Sequence, residues 1–399
     1  MVPRPSSRKG GGTGATPPVH LRRAVLEELE MPLVRPFTTS FGTEKARRVL
    51  LLSLEEAHGE VGWAECVAGR DPLYSYESVA TVREVLFRYL LPVLERSAER
   101  ATPQRFLEGA SEIRGHPMAK ALVEMALFDL AARREGVPLQ RLLAGRRPVR
   151  ERVEVGVSVG MASSPAELLR QLEGYSGAGY RRLKLKVEPG RDRAFVLAAR
   201  RAFPESPLWI DANQAYGAQD VPRLVGLCRD SNVQVVEQPF PEDALLLHAR
   251  LARALGRGAK VCLDESVGSV ERLDLALKER AFGCLNIKPG RVGGLSTSVA
   301  LHDRCERAAI PVWCGGMLET GVGRAHNVHL ASLPNFRLPA DLSASDRYWT
   351  EDLVDPPFRL GPGSTLVVPR GSGTGVEPVE ARIRKRRVAR RARRLHQRI

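Results

Sequence analysis

Long apolar runs and closely spaced cysteines are what this sequence lacks. No run approaches the roughly 20 apolar residues that a membrane-spanning helix needs. The six cysteines include no CxxC spacing, so we expect free thiols in a reducing cytoplasm rather than disulfides or a zinc site. The opening segment MVPRPSSRKGGGTGATPP has no apolar core and does not resemble a secretory signal. These absences predict a cytoplasmic protein without a membrane span.

Acidic residues are missing from both ends of the chain. Residues 382–398 contain ten Lys or Arg and residues 1–20 contain three, without any Asp or Glu. Setting these thirteen aside leaves 48 basic against 46 acidic residues, so the net charge of +15 arises at the ends. We interpret residues 1–20, which are rich in Gly, Pro and Ser, as a disordered extension, and residues 378–399 as a solvated basic tail.

The chain between these ends changes its pattern once. Residues 21–145 begin with alternating strand-like segments and continue with helical periodicity, which predicts an α+β unit. From residue 150 to 345, apolar runs of strand length alternate with helical stretches. These seven or eight βα units are too many for a typical doubly wound sheet. This pattern predicts a closed parallel barrel. The runs are 153–160, 182–187, 208–213, 233–239, 260–266, 284–290 and 310–316, with a weaker one at LPADLS.

Five polar residues follow successive strands in phase: Lys186, Asp211, Glu237, Asp264 and Lys288. Their steps of 25, 26, 27 and 24 residues each match one βα unit. Because the C-terminal ends of barrel strands converge, we expect three carboxylates at the centre and a lysine on each flank. Any one of these residues alone is more often a helix cap or a solvated loop residue.

Such a carboxylate cluster favours a hard divalent cation, since unneutralised carboxylates repel one another and are costly to bury. Oxygen ligands with room for substrate oxygens suit Mg²⁺. The bound ion would stabilise the charge that forms when a proton leaves the carbon next to a carboxylate. We expect the nearby cation and partial burial to lower the pKa of the flanking lysines, so that a lysine acts as the base and an enediolate forms.

The barrel motifs resemble the muconate-lactonizing branch of the enolase superfamily. They are Lys184-Leu-Lys186, Asp211-Ala-Asn213, Glu237-Gln-Pro, Asp264-Glu265-Ser and Lys288-Pro-Gly-Arg291. Longer strings, including PFTTSFGT, GWAECVAGRDPLYS and PVWCGGMLETGVGRA, are similar to the o-succinylbenzoate synthase / N-acylamino acid racemase group. The resemblance covers about residues 20–375. It implies a modified (β/α)7β TIM-type barrel with an α+β N-terminal capping domain, to which residues 346–377 return.

The resemblance also implies a role for each matching residue. Lys186 would be the base and Lys288 the cation or second acid/base on the opposite face. Asp211, Glu237 and Asp264 would bind Mg²⁺, for which Mn²⁺ or Co²⁺ can substitute. The expected substrate contacts are Ser158, Lys184 and Asn213 around the carboxylate, and Phe37, Phe41, Tyr74, Met317 and Leu318 around the side chain. Glu265 would support the site from behind, and Arg291 is typical of members able to racemise.

The leading function implied by the resemblance is o-succinylbenzoate synthase, a Mg²⁺-dependent syn dehydration in menaquinone biosynthesis. The alternative is an N-acylamino acid (N-succinylamino acid) racemase, and one enzyme can have both activities. The partners expected are a small carboxylate substrate and further copies of the chain, without specific nucleic-acid binding. A different class of function would use the basic tail to hold phosphates or an anionic membrane non-specifically.

Overall fold

The computed structural model describes residues 16–39 and 42–395. Phe41 and most of the predicted N-terminal extension lie outside these ranges. The strands are β1 Leu21–Thr39, β2 Gly42–Glu56, β3 Val61–Cys66, β4 Arg152–Glu154, β5 Val157–Val159, β6 Leu183–Lys186, β7 Leu208–Asp211, β8 Val235–Glu237, β9 Lys260–Leu263, β10 Cys284–Ile287, β11 Val312–Cys314, β12 Thr365–Val367 and β13 Arg387–Arg394.

The helices alternate with these strands from residue 165 onward and cluster before it. They are α1 Val79–Val85, α2 Leu91–Arg96, α3 Pro103–Gly109, α4 Pro117–Arg134, α5 Leu139–Ala144, α6 Pro165–Gly177, α7 Asp192–Ala202, α8 Val221–Ser231, α9 Leu245–Leu255, α10 Val270–Lys278, α11 Pro289–Val292, α12 Leu295–Arg307, α13 Gly321–Ala331 and α14 Glu380–Arg386. A π-helical turn covers Leu86–Leu90, and 3-10 turns cover Ala98–Arg100, Ala218–Asp220 and Ser345–Arg347. No helix in the described ranges is both long enough and apolar enough to cross a membrane.

The N-terminal part is an antiparallel sheet packed on helices. Its strand order is β13-β1-β2-β3. Helix α4, buried along most of its length, lies directly on β3. Gly62 permits this close approach, because a Cβ there would lie 2.4 Å from the backbone oxygen of Ala126. Residues 16–20, assigned from sequence to the extension, already pack on this unit: the Val19 amide donates to the Ala101 carbonyl at 2.9 Å.

The second part is the predicted barrel. Within the described residues its parallel strands are ordered β5-β6-β7-β8-β9-β10-β11. The weak eighth run closes the ring through isolated backbone bonds rather than a regular strand. Ala340 N donates to Glu154 O at 2.9 Å, and Asp341 N donates to Cys314 O at 3.0 Å. The predicted fold class, a TIM-type barrel with an α+β capping domain, is confirmed.

Short polar side chains cap three of the helices that cover the barrel, α6, α10 and α13. Ser164 Oγ accepts from Glu167 N at 3.2 Å at the start of α6, and Ser269 Oγ accepts from Arg272 N at 3.3 Å at the start of α10. These caps satisfy amides that have no partner inside the helix. Helices α6 and α10 therefore each begin at a fixed residue, which fixes the end of the loop that precedes each of them.

The basic C-terminal segment differs from the solvated tail inferred from its composition. Residues 380–394 form α14 and β13, and β13 pairs antiparallel with β1. The reason is the buried Glu27 of β1, which accepts from Arg387 Nε at 2.7 Å and from Arg390 Nε at 2.8 Å. Composition alone does not reveal such a partner, because Glu27 lies about 360 residues earlier in the chain.

Candidate active site

Three carboxylates stand at the C-terminal ends of adjacent barrel strands. Asp211 and Glu237 are the last residues of β7 and β8, and Asp264 directly follows β9. Asp211 lies opposite Glu237 in the parallel register. All three side chains are buried, with at most 2% of their surface exposed. They therefore face the same end of the barrel, where catalytic groups are found in this fold.

Lys184 of β6 lies among carboxylates. Its Nζ is 2.5 Å from Glu237 Oε2, 2.5 Å from Asp341 Oδ2 and 3.0 Å from Asp211 Oδ2. Because both carboxylates contact the same ammonium group, the side chains of Asp211 and Glu237 are held close together. Lys184 was expected to hold the substrate carboxylate; it does line the cavity described below, but its charge is directed to protein carboxylates.

Two further lysines approach the carboxylates from either side. Lys186 Nζ donates to Asp211 Oδ2 at 2.7 Å and to Asn213 Oδ1 at 2.5 Å. Lys288, directly after β10, donates to Asp264 Oδ2 at 2.6 Å. Because β7, β8 and β9 lie between β6 and β10 in the sheet, the two ammonium groups flank the carboxylates.

The expected lowering of the lysine pKa at Lys288 depends on a cation bound beside it and stays a prediction. Burial alone would lower its pKa, but Asp264 and other negative groups raise it well above the usual value. For Asp264, burial favours a higher pKa, but Lys288 and Arg291 hold it below its ordinary range. At Glu237, burial, with the charge of Asp211 adding to it, raises the pKa to about 8. The lysine ammonium and the carboxylate stabilise each other's charged forms.

The donor set fits a hard divalent cation. Asp211, Glu237 and Asp264 supply carboxylate oxygens. Asp264 Oδ1 is buried and makes no hydrogen bond to a described residue, although it forms an ion pair with Arg291. Within the described residues, the group whose ligand atoms all lie within 4.8 Å of one another is instead His302, Asp303 and Glu306. His302 there already uses both ring nitrogens, Nδ1 with Asp303 at 2.7 Å and Nε2 with the Asn335 amide at 2.9 Å. We interpret that second group as a packing contact of α12.

A cavity of about 490 Å³ opens onto these groups, and both domains line it. The capping domain contributes Phe37 and Tyr74, and the barrel contributes Ser158, Met317 and Leu318. Ser158 Oγ is buried and has no hydrogen-bond partner in the described part of the chain. Tyr74 reaches the catalytic groups directly, since its hydroxyl lies 3.1 Å from Lys288 Nζ. The structure thus brings together the predicted pocket residues, apart from Phe41, which lies outside the described ranges.

The supporting residues lie behind the carboxylates. Glu265 Oε1 accepts from Asn213 Nδ2 at 3.3 Å. Arg291 Nε lies 3.0 Å from Asp264 Oδ1, and its terminal nitrogens donate to backbone oxygens. Burial, with the charge of Asp264 adding to it, raises the pKa of Glu265 to about 8. Both side chains therefore act on the site through its polar groups rather than from the cavity wall.

Sequence reasoning missed two residues of the site. Asn286 Nδ2 donates to Glu237 Oε1 at 2.7 Å, and Asp341 accepts from both Lys184 and Arg182. Asp341 falls in the weak eighth run, two βα units after Lys288 in the chain. Asn286 precedes Lys288 by two residues, so strand alternation places both on the same face.

Comparison with known proteins agrees with this geometry. Residues 23–144 match the mandelate racemase / muconate lactonizing enzyme N-terminal domain, and residues 167–382 match the enolase C-terminal domain-like family. The chain belongs to the enolase superfamily. Members of this superfamily bind a divalent metal.

Its superfamily relatives include proteins of both expected activities. An o-succinylbenzoate synthase from Geobacillus kaustophilus is 41% identical over 90% of this chain and 94% of its own length. An N-succinylamino acid racemase from Amycolatopsis sp. is 45% identical over 89% and 94%. A crystal structure of an enolase-superfamily member from Listeria innocua superimposes with a TM-score of 0.89 at 35% identity, covering 95% of this chain and all of that one. The resemblance inferred from the motifs is confirmed.

Proposed function

We propose that this protein is an o-succinylbenzoate synthase, a hydro-lyase that removes water from a cyclohexadiene carboxylate with a succinyl arm. The observation that carries the proposal is the row of three buried carboxylates with Lys186 at one end and Lys288 at the other, open to a cavity between the two domains. Relatives named for this activity, at up to 41% identity over most of the chain, support it.

The proton transfers fall to Lys186. As the base it takes the proton from the carbon next to the substrate carboxylate, and the C–H electrons move toward that carboxylate. The same ammonium then returns a proton to the hydroxyl leaving from the same face, so the C–O bond breaks and water departs. Asn213, which accepts from Lys186 Nζ, orients the ammonium for both steps.

Lys288 stabilises charge on the other face. Its ammonium is buried and held by Asp264 and the Tyr74 hydroxyl, so it presents a fixed positive charge to the cavity. Asp211, Glu237 and Asp264 would hold Mg²⁺. When bound, this ion would stabilise the negative charge that collects on the substrate carboxylate.

The second candidate activity is racemisation of N-succinylamino acids. It requires an acid/base group on each face of the α-carbon, and the flanking positions of Lys186 and Lys288 favour it. The relatives named as racemases, at 44–45% identity, support the same candidate. We propose both activities for one site, with dehydration as the main one.

We place the enzyme in menaquinone biosynthesis, in the cytoplasm and as a homo-oligomer. All six cysteines are buried free thiols, which fits a reducing compartment. No disulfide joins any two of them within the described residues.

The proposal is tested by assaying purified protein with both substrates, with and without a chelator. We expect dehydration that disappears with chelator and returns with Mg²⁺. Asp264→Asn should weaken metal binding, measured by calorimetry, and lower turnover in parallel, because one carboxylate charge is lost. Asp274→Asn, on the exterior of α10, is the matched control and should change neither. Full turnover in excess chelator would reject the metal assignment.

A further inference from the structure

A second cavity of about 540 Å³ lies beside the first, and three arginines are part of its lining. The residues used below are Arg35 and Phe37 of the capping domain and Gly160, Glu167, Arg170, Tyr175 and Arg347 of the barrel side. The cavity spans the boundary between the two domains, as the active-site cavity does.

A backbone wall separates the two cavities. Met161 N donates to Thr38 O at 3.0 Å, which joins the capping strand β1 to the loop after β5. Gly160 makes this contact possible, because a Cβ there would lie 2.9 Å from Thr38 O. Phe37 lines both cavities, so the wall is one residue thick at that point.

The second cavity has an excess of unpaired positive charge. Glu167, the one acidic residue in the described lining, accepts hydrogen bonds from the Ser163 amide and hydroxyl and from Gln171 Nε2. Among the described residues, no ion pair involves Arg35, Arg170 or Arg347. Three arginines against one glutamate therefore leave the described lining of this cavity with a net positive charge.

Arg347 is held in place for binding. Its guanidinium carbon lies 4.6 Å from the ring centre of Tyr175 and 5.0 Å from that of Tyr348. Its Nε is buried and has no hydrogen-bond partner among the described residues. A guanidinium group that is already fixed against two rings has little conformational freedom left to lose, so binding a ligand costs less entropy there.

We propose that this second cavity binds a compact, multiply charged oxyanion, either a phosphate group or a dicarboxylate, through Arg35, Arg170 and Arg347. Guanidinium groups pair with such anions in bidentate fashion. The bound anion would join the capping domain to the barrel. It is separate from the site of the catalytic lysines, which lie across the backbone wall.

Arg347 also contacts a residue of the catalytic cavity. Arg347 Nη2 donates to the Ser158 carbonyl at 3.3 Å, and Ser158 lines the catalytic cavity. Phe37 gives a second connection through the wall. An anion on Arg347 would therefore change KM for substrate more than kcat.

Calorimetric titration with inorganic phosphate, and separately with succinate, at low ionic strength tests the proposal. We expect binding to the native protein that weakens about tenfold or more in Arg170→Gln and in Arg35→Gln, since each removes one charge-assisted pair. Arg253→Gln, an exposed arginine on α9, is the matched control and should bind as the native protein does. Tighter binding of phosphate indicates a phosphorylated ligand, and tighter binding of succinate a dicarboxylate.

Two results would overturn the proposal. One is failure of both anions to bind the native protein. The other is binding that persists in Arg170→Gln and Arg35→Gln but disappears in Lys186→Gln, which would assign the anion to the catalytic cavity. Circular dichroism of each variant separates loss of binding from loss of folding.

Discussion

Arg182 and Asp341 show how single residues fix the catalytic groups. Arg182, almost fully buried, donates to the carbonyls of Val157 at 3.2 Å and Ala340 at 3.0 Å, and pairs with Asp341. Asp341 in turn holds Lys184, which holds Glu237. A continuous series of charges therefore runs from the point where the barrel closes to the proposed metal ligands.

Asp341→Asn should therefore destabilise the protein. The change leaves Arg182 and Lys184 buried with one carboxylate fewer, and breaking a buried ion pair from one side typically costs about 3–5 kcal/mol. Urea unfolding measures the loss. Glu380→Gln, on the exposed face of α14, should change stability by less than about 0.5 kcal/mol. Equal stability of the two variants would contradict this role for Asp341.

Lys288→Arg should separate the two candidate activities. Arginine keeps the positive charge but stays protonated, so it cannot serve as a second base. We expect loss of racemisation, continued exchange of the α-proton of one enantiomer in heavy water, and a smaller loss of dehydration. Lys186→Ala should abolish dehydration. Proton exchange followed by NMR distinguishes these outcomes, and efficient dehydration by Lys186→Ala would reverse the assigned roles.

At the scale of elements, the sequence predicted the barrel strands β6 to β10 well because each is an apolar run with a polar residue at or just after its end. The run 208–213 contains β7 and its terminal Asp211, and 260–266 contains β9 and Asp264. The sequence pattern of the eighth run was weak for a physical reason. Its Ala340 forms an isolated β-bridge rather than part of a regular strand, so alternating apolar residues were not needed there. The role of Asp341 was not visible for the same reason.

Strand β13 could not be predicted because its pattern is set by charge rather than hydrophobicity. Arg387 and Arg390 are three positions apart, and both contact one acid, Glu27, across the sheet. Exposure alternates only partly along the strand. A run of arginines without apolar periodicity ordinarily indicates a solvated segment.

Glu27→Gln should weaken the pairing of β13 with β1, so that β13 opens more readily than the barrel strands. The buried carboxylate accepts charge-assisted bonds from Arg387 and Arg390, each worth about 1.5–3 kcal/mol, and glutamine cannot replace them fully. Hydrogen exchange measured by mass spectrometry should rise in 387–394 before it rises in the barrel. Glu380→Gln again provides the control, because Glu380 is exposed and contacts Arg387 only at 3.4 Å.

At the scale of the whole molecule, buried acids of the capping domain join it to the barrel. Glu124 of α4 accepts from the amides of Leu295 and Ser296 at the start of α12, each at 2.8 Å. Glu65 of β3 accepts from the Thr320 and Gly323 amides at the start of α13. Burial raises the pKa of both acids to about 7.

These two acids predict that stability falls as pH rises from about 4.5 to 7. Over that window the folded state keeps the protons on Glu65 and Glu124, while the unfolded state releases them. Each group contributes up to about 3 kcal/mol to the decline. Glu124→Gln carries no proton to release, so its stability should depend less on pH, whereas the exposed Glu99→Gln should follow the native protein. Urea unfolding at several pH values measures the difference.

The pairing of β1 with β13 has a consequence for how the protein is made. Glu27 and its partner Arg390 are 363 residues apart, so one leaves the ribosome long before the other. At translation speeds of about 5–20 residues per second, the interval is roughly 20 to 70 seconds. Throughout it, the outer edge of β1 has no strand beside it, and the nascent chain is open to chaperones and to pairing with other chains. The arginines that complete this sheet follow the barrel in the chain, so the capping domain reaches its final form only after the barrel has been synthesised.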